Sequence, residues 1–173
     1  MSCLLTQGFS LDCLGDNAGG VKEIYITEFN NVTAITTASG AITAITMTAG
    51  KQFWTYELYS EQGEVTETAI KKPENGTIAH EQSVKIPLYK QETNKRNELY
   101  IVAKNRVLII VKDSNDKYWL YGEGYGLNLI NRIATFGKLI DDRNGYELEF
   151  TGKEPLPAKE VASGIIPALL LPA

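Results

Sequence analysis

The chain has 173 residues, a formal charge of −4, 43% hydrophobic residues and two cysteines. That length fits one domain, and 22% charged residues is too few for an extended disordered chain. A pI near 5.1 argues against a dedicated DNA-binding surface. The opening Met1-Ser2-Cys3-Leu4-Leu5 has neither a basic start nor a long apolar run, so no secretory signal is expected. The apolar stretch Ile165–Leu171, interrupted by Pro167 and followed by Pro172, falls short of the roughly 20 residues of a spanning helix. The expected setting is a reducing cytoplasm, with Cys3 and Cys13 as buried or inert thiols. Those two thiols and the single His80 do not make a four-ligand zinc site.

Most of the chain reads as strand and turn. Val21–Phe29 is rich in β-branched and aromatic residues, and Asn30-Asn31 turns it into Val32–Thr36. Ser39-Gly40 turns again, into Ala41–Met47. Alternation there places Ile42, Ala44 and Thr46 on one face and Thr43, Ile45 and Met47 on the other. Ala49-Gly50-Lys51 leads into Gln52–Tyr59. Glu61–Lys72 is polar, framed by Gly63 and Pro73, and fits an exposed long hairpin closed by the Asn75-Gly76 turn. Thr77–Leu88 returns as a strand, with Val84, Ile86 and Leu88 at period two.

Thr93 is the expected N-cap of a helix over Asn94–Asn105, with Leu99, Val102 and Ala103 at helical spacing. Val107–Val111 is apolar on both faces and predicts a central strand. Asp113–Asp116 turns the chain into Lys117–Tyr121. Ala134–Ile140 and Tyr146–Thr151 predict the last hairpin, with Asn144-Gly145 at its tip. Tyr146, Leu148 and Phe150 share one face of the final strand, and Glu147, Glu149 and Thr151 the other. The tail from Lys153 carries Pro155, Pro157, Pro167 and Pro172 and reads as an extended arm. The expected organisation is an N-terminal arm (1–20), a β-sandwich or barrel domain with one helix (21–152), and a Pro-rich C-terminal arm (153–173).

The chemical motifs mostly fail on spacing. Gly122-Glu123-Gly124-Tyr125-Gly126 lacks the third glycine of a dinucleotide loop and reads as a bent or bulged strand. Gly137-Lys138 has no preceding phosphate-loop glycine. His80-Glu81 has Val84 where a zinc protease needs its second histidine, which leaves a solvated strand end. Asp113, Asn115 and Asp116 lack the glycine and closing glutamate of a calcium loop; they and Asp141-Asp142 read as turn residues. Asn31-Val32-Thr33 and Asn75-Gly76-Thr77 match the glycosylation pattern by accident. The locally basic run Lys85, Lys90, Lys95, Arg96, Lys104, Arg106, Lys112 and Lys117 reads as a solvated face, with a patch for an acidic neighbouring subunit as the alternative. No cofactor or metal is expected.

The chain resembles small virion proteins of gut Bacteroidales phages, including the crAss-like phages. The resemblance rests on Cys3–Phe9, Asp12-Cys13, Gly19-Gly20-Val21-Lys22, Lys104-Asn105-Arg106, Asp116–Leu120, Gly137-Lys138, Asp142–Tyr146 and Phe150–Ala158. It implies a tail-tube-like fold, a β-barrel or sandwich flanked by one helix. It also implies rings in which sheets join across subunits around a lumen, with loops and termini stacking one ring on the next. Such phages have short tails, so a ring of the neck or tail is implied rather than a long tube. The expected function is a non-enzymatic virion protein surrounding the DNA path, made in the host cytoplasm. Its partners are copies of itself, six- or twelve-fold, and adjacent tail or neck proteins. DNA contact is at most weak and non-specific, and no membrane is involved. Residues expected at assembly interfaces are Glu64, Thr66, Thr68, Ile70 and Lys72 in the hairpin and Lys159, Val161, Ile165, Ile166, Leu169 and Leu171 in the tail. The alternatives are a capsid decoration or head-fibre base protein, a phage-borne glycan hydrolase using Glu147 or Glu149, and a small-ligand barrel.

Overall fold

The run Val107–Val111 organises the molecule. In the computed structural model, which describes residues 7–10, 14–15, 17–59 and 61–172, all five of its side chains are buried. Alternation sends Val107, Ile109 and Val111 into one hydrophobic core and Leu108 and Ile110 into a second. A strand apolar on both faces needs cover on both, and the rest of the chain supplies it.

The strands are β1 (Val21–Glu28), β2 (Val32–Ala38), β3 (Ala41–Met47), β4 (Trp54–Glu57), β5 (Glu64–Lys72), β6 (Thr77–Tyr89), β7 (Val107–Asp113), β8 (Tyr118–Tyr121), β9 (Asn128–Thr135), β10 (Gly145–Glu154) and β11 (Lys159–Val161). The helices are α1 (Thr93–Val102) and α2 (Ile166–Leu169). A seven-stranded sheet runs β2-β3-β11-β8-β7-β1-β4, and a four-stranded sheet runs β5-β6-β10-β9. The architecture is mainly β, a sandwich with a flanking helix, as the sequence predicts.

The first core lies between the sheets. Ile24, Ile26, Ile109 and Val111 meet Val84, Ile86, Tyr146, Leu148 and Phe150, and Leu99 of α1 joins them. The second core covers the opposite face of the larger sheet, where Tyr25, Ile42, Phe53, Leu108, Ile110 and Leu120 pack against Val161, Ile166 and Leu169. The tail is therefore not an extended arm. β11 lies between β3 and β8, and Val161, Ile166 and Leu169 are buried. Burying each such side chain is worth about 1.5–3 kcal/mol. The prolines do not oppose this docking. Pro155 and Pro157 lie in the link between β10 and β11, and Pro167 sits in the first turn of α2, where a missing N–H leaves no hydrogen bond unmade.

Three expected boundaries move, each for a local reason. Glu92, not Thr93, is the N-cap of α1. Its carboxylate is held by Lys90 at 2.8 Å and Lys95 at 3.5 Å, and these ion pairs keep it below the usual carboxylate range. In β3 an extra residue opposite Thr36/Thr37 shifts the register at Thr43. Ile42, Ile45 and Met47 therefore all reach the second core, against the strict alternation expected. The last hairpin is built from β9, which ends at Thr135, so 136–144 is loop. Gly145 is no tip. It sits inside β10 opposite Tyr89 and Thr135, where a Cβ would lie 2.0 Å from the Leu88 carbonyl oxygen.

Candidate assembly surface

Alternation in β10 turns Tyr146, Leu148 and Phe150 inward, which leaves Glu147, Glu149 and Thr151 on the outer face. The register carries that face across the sheet. Glu149 stands beside Lys85, which stands beside Glu64; Thr151, Ser83 and Thr66 form the next row; Lys153, Glu81 and Thr68 the third. Ile70 and Lys72 continue it opposite Ala79 and Thr77. The five hairpin residues singled out in the sequence thus share one outward face at one edge of the four-stranded sheet.

β6 pairs with β10 only from His80 onward. Beyond that, among the described residues Ile70–Lys72 and Thr77–Ala79 pair with each other alone, so the hairpin end projects as two strands. Pro73–Asn75 forms its 3-10 turn, and Gly76 closes it at φ 64°, a conformation in which glycine meets no Cβ penalty. Ile78 is left exposed near the tip.

The opposite edge of this sheet is β9. Ile130 and Ile133 are exposed on it, and the following loop exposes Phe136, Leu139 and Ile140. Asp142 shapes that loop by accepting from the Lys138 and Leu139 N–H groups at 2.6 and 2.9 Å. Those two bonds hold its carboxyl below the usual range. The strand expected over Ala134–Ile140 hides this surface, because β9 ends at Thr135 and the apolar residues beyond it lie in the loop. The signal available was a cluster of apolar residues adjoining glycine and turn-forming Asp-Asp.

The tail candidates are dispersed by contrast. Lys159 reaches Glu123 at 2.7 Å; Val161, Ile166 and Leu169 are core; Ile165 is half-buried and packs against the same core. Leu171 alone of the six is exposed. A side chain inside the subunit's own core has no surface to offer a neighbour.

The tail is tied down by a polar centre in which Glu154 was not anticipated. The Gly122–Gly126 segment is a turn, closed by Gly126 N–H donating to the Gly122 carbonyl at 3.0 Å. It presents successive backbone N–H groups, an arrangement suited to an anion. The buried Glu154 carboxylate fills it, accepting from Gly124 at 2.8 Å, Tyr125 at 2.9 Å and Gly126 at 3.2 Å. Next to it, buried Gln82 accepts from Gly122 N–H at 2.9 Å and donates to Glu67 at 3.0 Å. Glu67 also accepts from Ala158 N–H at 2.7 Å. His80 lies in mid-strand with Nδ1 3.6 Å from Glu67, not at a solvated strand end. Burial pushes the Tyr121 hydroxyl up to about 12, helped by the charges of Glu67 and Asp113.

Other acidic candidates have structural partners. Lys85 lies 3.7 Å from Glu149 and 3.9 Å from Glu64, and Arg143 pairs with Glu147. Asp113 accepts from Asn115 N–H, Lys117 N–H and the Trp119 indole N–H at 2.8, 2.9 and 3.1 Å, which is turn chemistry. The basic run does not form one patch: Lys112 pairs with Glu23 and Asp116, Lys117 with Glu160, and Arg106 stacks over Phe29. Among the described residues no group of three His, Cys, Asp or Glu is placed to hold a metal, and no helix is long and apolar enough to cross a membrane. Cys3 and Cys13 lie outside the described residues, as does much of the expected N-terminal arm. No protein-family model, curated protein or solved structure matched the chain when compared with it.

Proposed function

We propose that this chain is a non-enzymatic structural subunit of a phage virion, forming a ring around the DNA path in the neck or tail. One observation carries the assembly part of the reading. Among the described residues the four-stranded sheet is open at both ends, with nine-residue β5 at one edge and eight-residue β9 at the other. Free edges are aggregation hazards unless blunted or used. Pairing the β5 edge of one copy with the β9 edge of the next is a head-to-tail contact, and such contacts make rings when the rotation closes. Ile133 and the Phe136–Ile140 loop then bury apolar surface at each joint.

The virion assignment comes from the sequence resemblance. The outer face of the sheet suits a conduit, since Glu64, Glu81, Glu147 and Glu149 are interspersed with Lys85 and Lys153. Such a surface has no basic excess to grip phosphates. Negative-stain electron microscopy of the purified protein tests the reading. Closed six- or twelve-fold rings with a lumen are expected. A lattice without a lumen would point to capsid decoration, and glycan cleavage lost in Glu147→Gln or Glu149→Gln would overturn the structural reading.

A further inference from the structure

Among the described residues four strands have a free edge, and one differs from the rest. β4 carries Glu57, β5 carries Glu64, Glu67, Lys71 and Lys72, and β9 carries Arg132. β2 carries no charge, and residues 29–50 contain no Asp, Glu, Lys or Arg. Charged residues and prolines are the usual protection of an exposed edge, and β2 has neither. Its register with β3 slips at Thr33 on its own strand and at Thr43 on β3, so Ala34–Ala38 itself runs without an inserted residue. Within that run Ala34, Thr36, Thr37 and Ala38 are exposed.

The geometry points to Ala34–Ala38 as a pairing edge for a second copy of itself, antiparallel and centred on Thr36. The segment reads Ala-Ile-Thr-Thr-Ala, so this register sets Ala34 against Ala38, Ile35 against Thr37 and Thr36 against Thr36. Small and β-branched residues meet, and no charge faces a like charge. The Thr36 carbonyl is turned toward β3, where it accepts from Thr43 Oγ1 at 3.4 Å. By alternation Ile35 and Thr37 direct their backbone groups outward, and Thr36 occupies a non-hydrogen-bonded position where facing side chains approach closely. The joint is two-fold and separate from the β5–β9 joint, so it pairs two copies whether or not rings form.

A residue opposite its own copy gives a stringent test. Thr36→Lys and Thr36→Glu should each weaken self-association through this edge at least tenfold by sedimentation velocity, while an equimolar mixture restores it in a salt-sensitive way. Circular dichroism melts confirm that both variants fold. In a Cys3→Ser/Cys13→Ser background, Thr36→Cys should form a covalent dimer under mild oxidation, a readout that tolerates modest loss of stability. In ring-forming material, Thr36→Lys should halve the particle mass, whereas disruption of β9 should leave dimers. The proposal is overturned if Thr36→Lys associates like wild type, if the mixture restores nothing, or if folded Thr36→Cys stays monomeric on oxidation.

Discussion

The β5–β6 hairpin and the C-terminal tail look alike in sequence, both proline-flanked and without an evident core to join, yet the structure treats them oppositely. The hairpin projects, with Glu64, Thr66, Thr68, Ile70 and Lys72 on an outward face. The tail inserts β11 between β3 and β8 and buries Val161, Ile166 and Leu169. The difference lies in spacing of apolar residues. The tail offers aliphatics at positions 161, 165, 166 and 169, enough for a strand followed by a helical turn. β5 alternates polar residues on its outer face and directs only Val65 at the core, and the β6 residues that join that core, Val84, Ile86 and Leu88, all lie away from the projecting end.

The sharpest way to break this contrast is to attack the tail's buried side. Val161→Asp places an unpaired charge in the second core and should destabilise the fold by more than about 4 kcal/mol, leaving little folded protein in a urea melt. Leu169→Ala should cost roughly 2–5 kcal/mol by the same measurement. A free arm would tolerate both without change. Glu154→Ala removes the acceptor shared by three backbone N–H groups, and roughly 3 kcal/mol should be lost; Glu154→Gln, which keeps one acceptor oxygen, should lose less.

Titration sharpens the contrast more gently. Tyr121 is raised to about 12 from 10.0, so its contribution is fully present below pH 10 and is lost as the pH rises toward 12. Alkaline unfolding should therefore begin later in Tyr121→Phe, checked by circular dichroism between pH 9 and about 12. Smallest of all, Thr68→Lys on the exposed hairpin face should change monomer stability by no more than about 0.5 kcal/mol.

Much of the fold was legible because its signals are short-range. Val107–Val111 announced a doubly buried strand, and Tyr146, Leu148 and Phe150 announced an inward face. What escaped was set by partners distant in sequence. Asn144-Gly145 has turn chemistry, but the glycine answers the approach of the Leu88 carbonyl. The Ile42 alternation failed because of a register slip against β2. Glu154 is an ordinary acidic residue until the Gly122–Gly126 turn, about 30 residues away, wraps its carboxylate. The hairpin half of the candidate surface was readable from its polarity. The β9 half was not, since an edge is a property of the sheet and not of the strand.

In the proposed ring, β5 and β9 are the two ends of a joint between neighbouring copies. Particle mass of the purified chain against Ile133→Lys tests it most directly, because Ile133 is exposed on β9 and its replacement should leave the monomer folded. Closed multi-subunit particles for the wild type and species no larger than dimers for Ile133→Lys are the predicted result. Equal masses for the two, or a wild type that never exceeds a dimer, would contradict it.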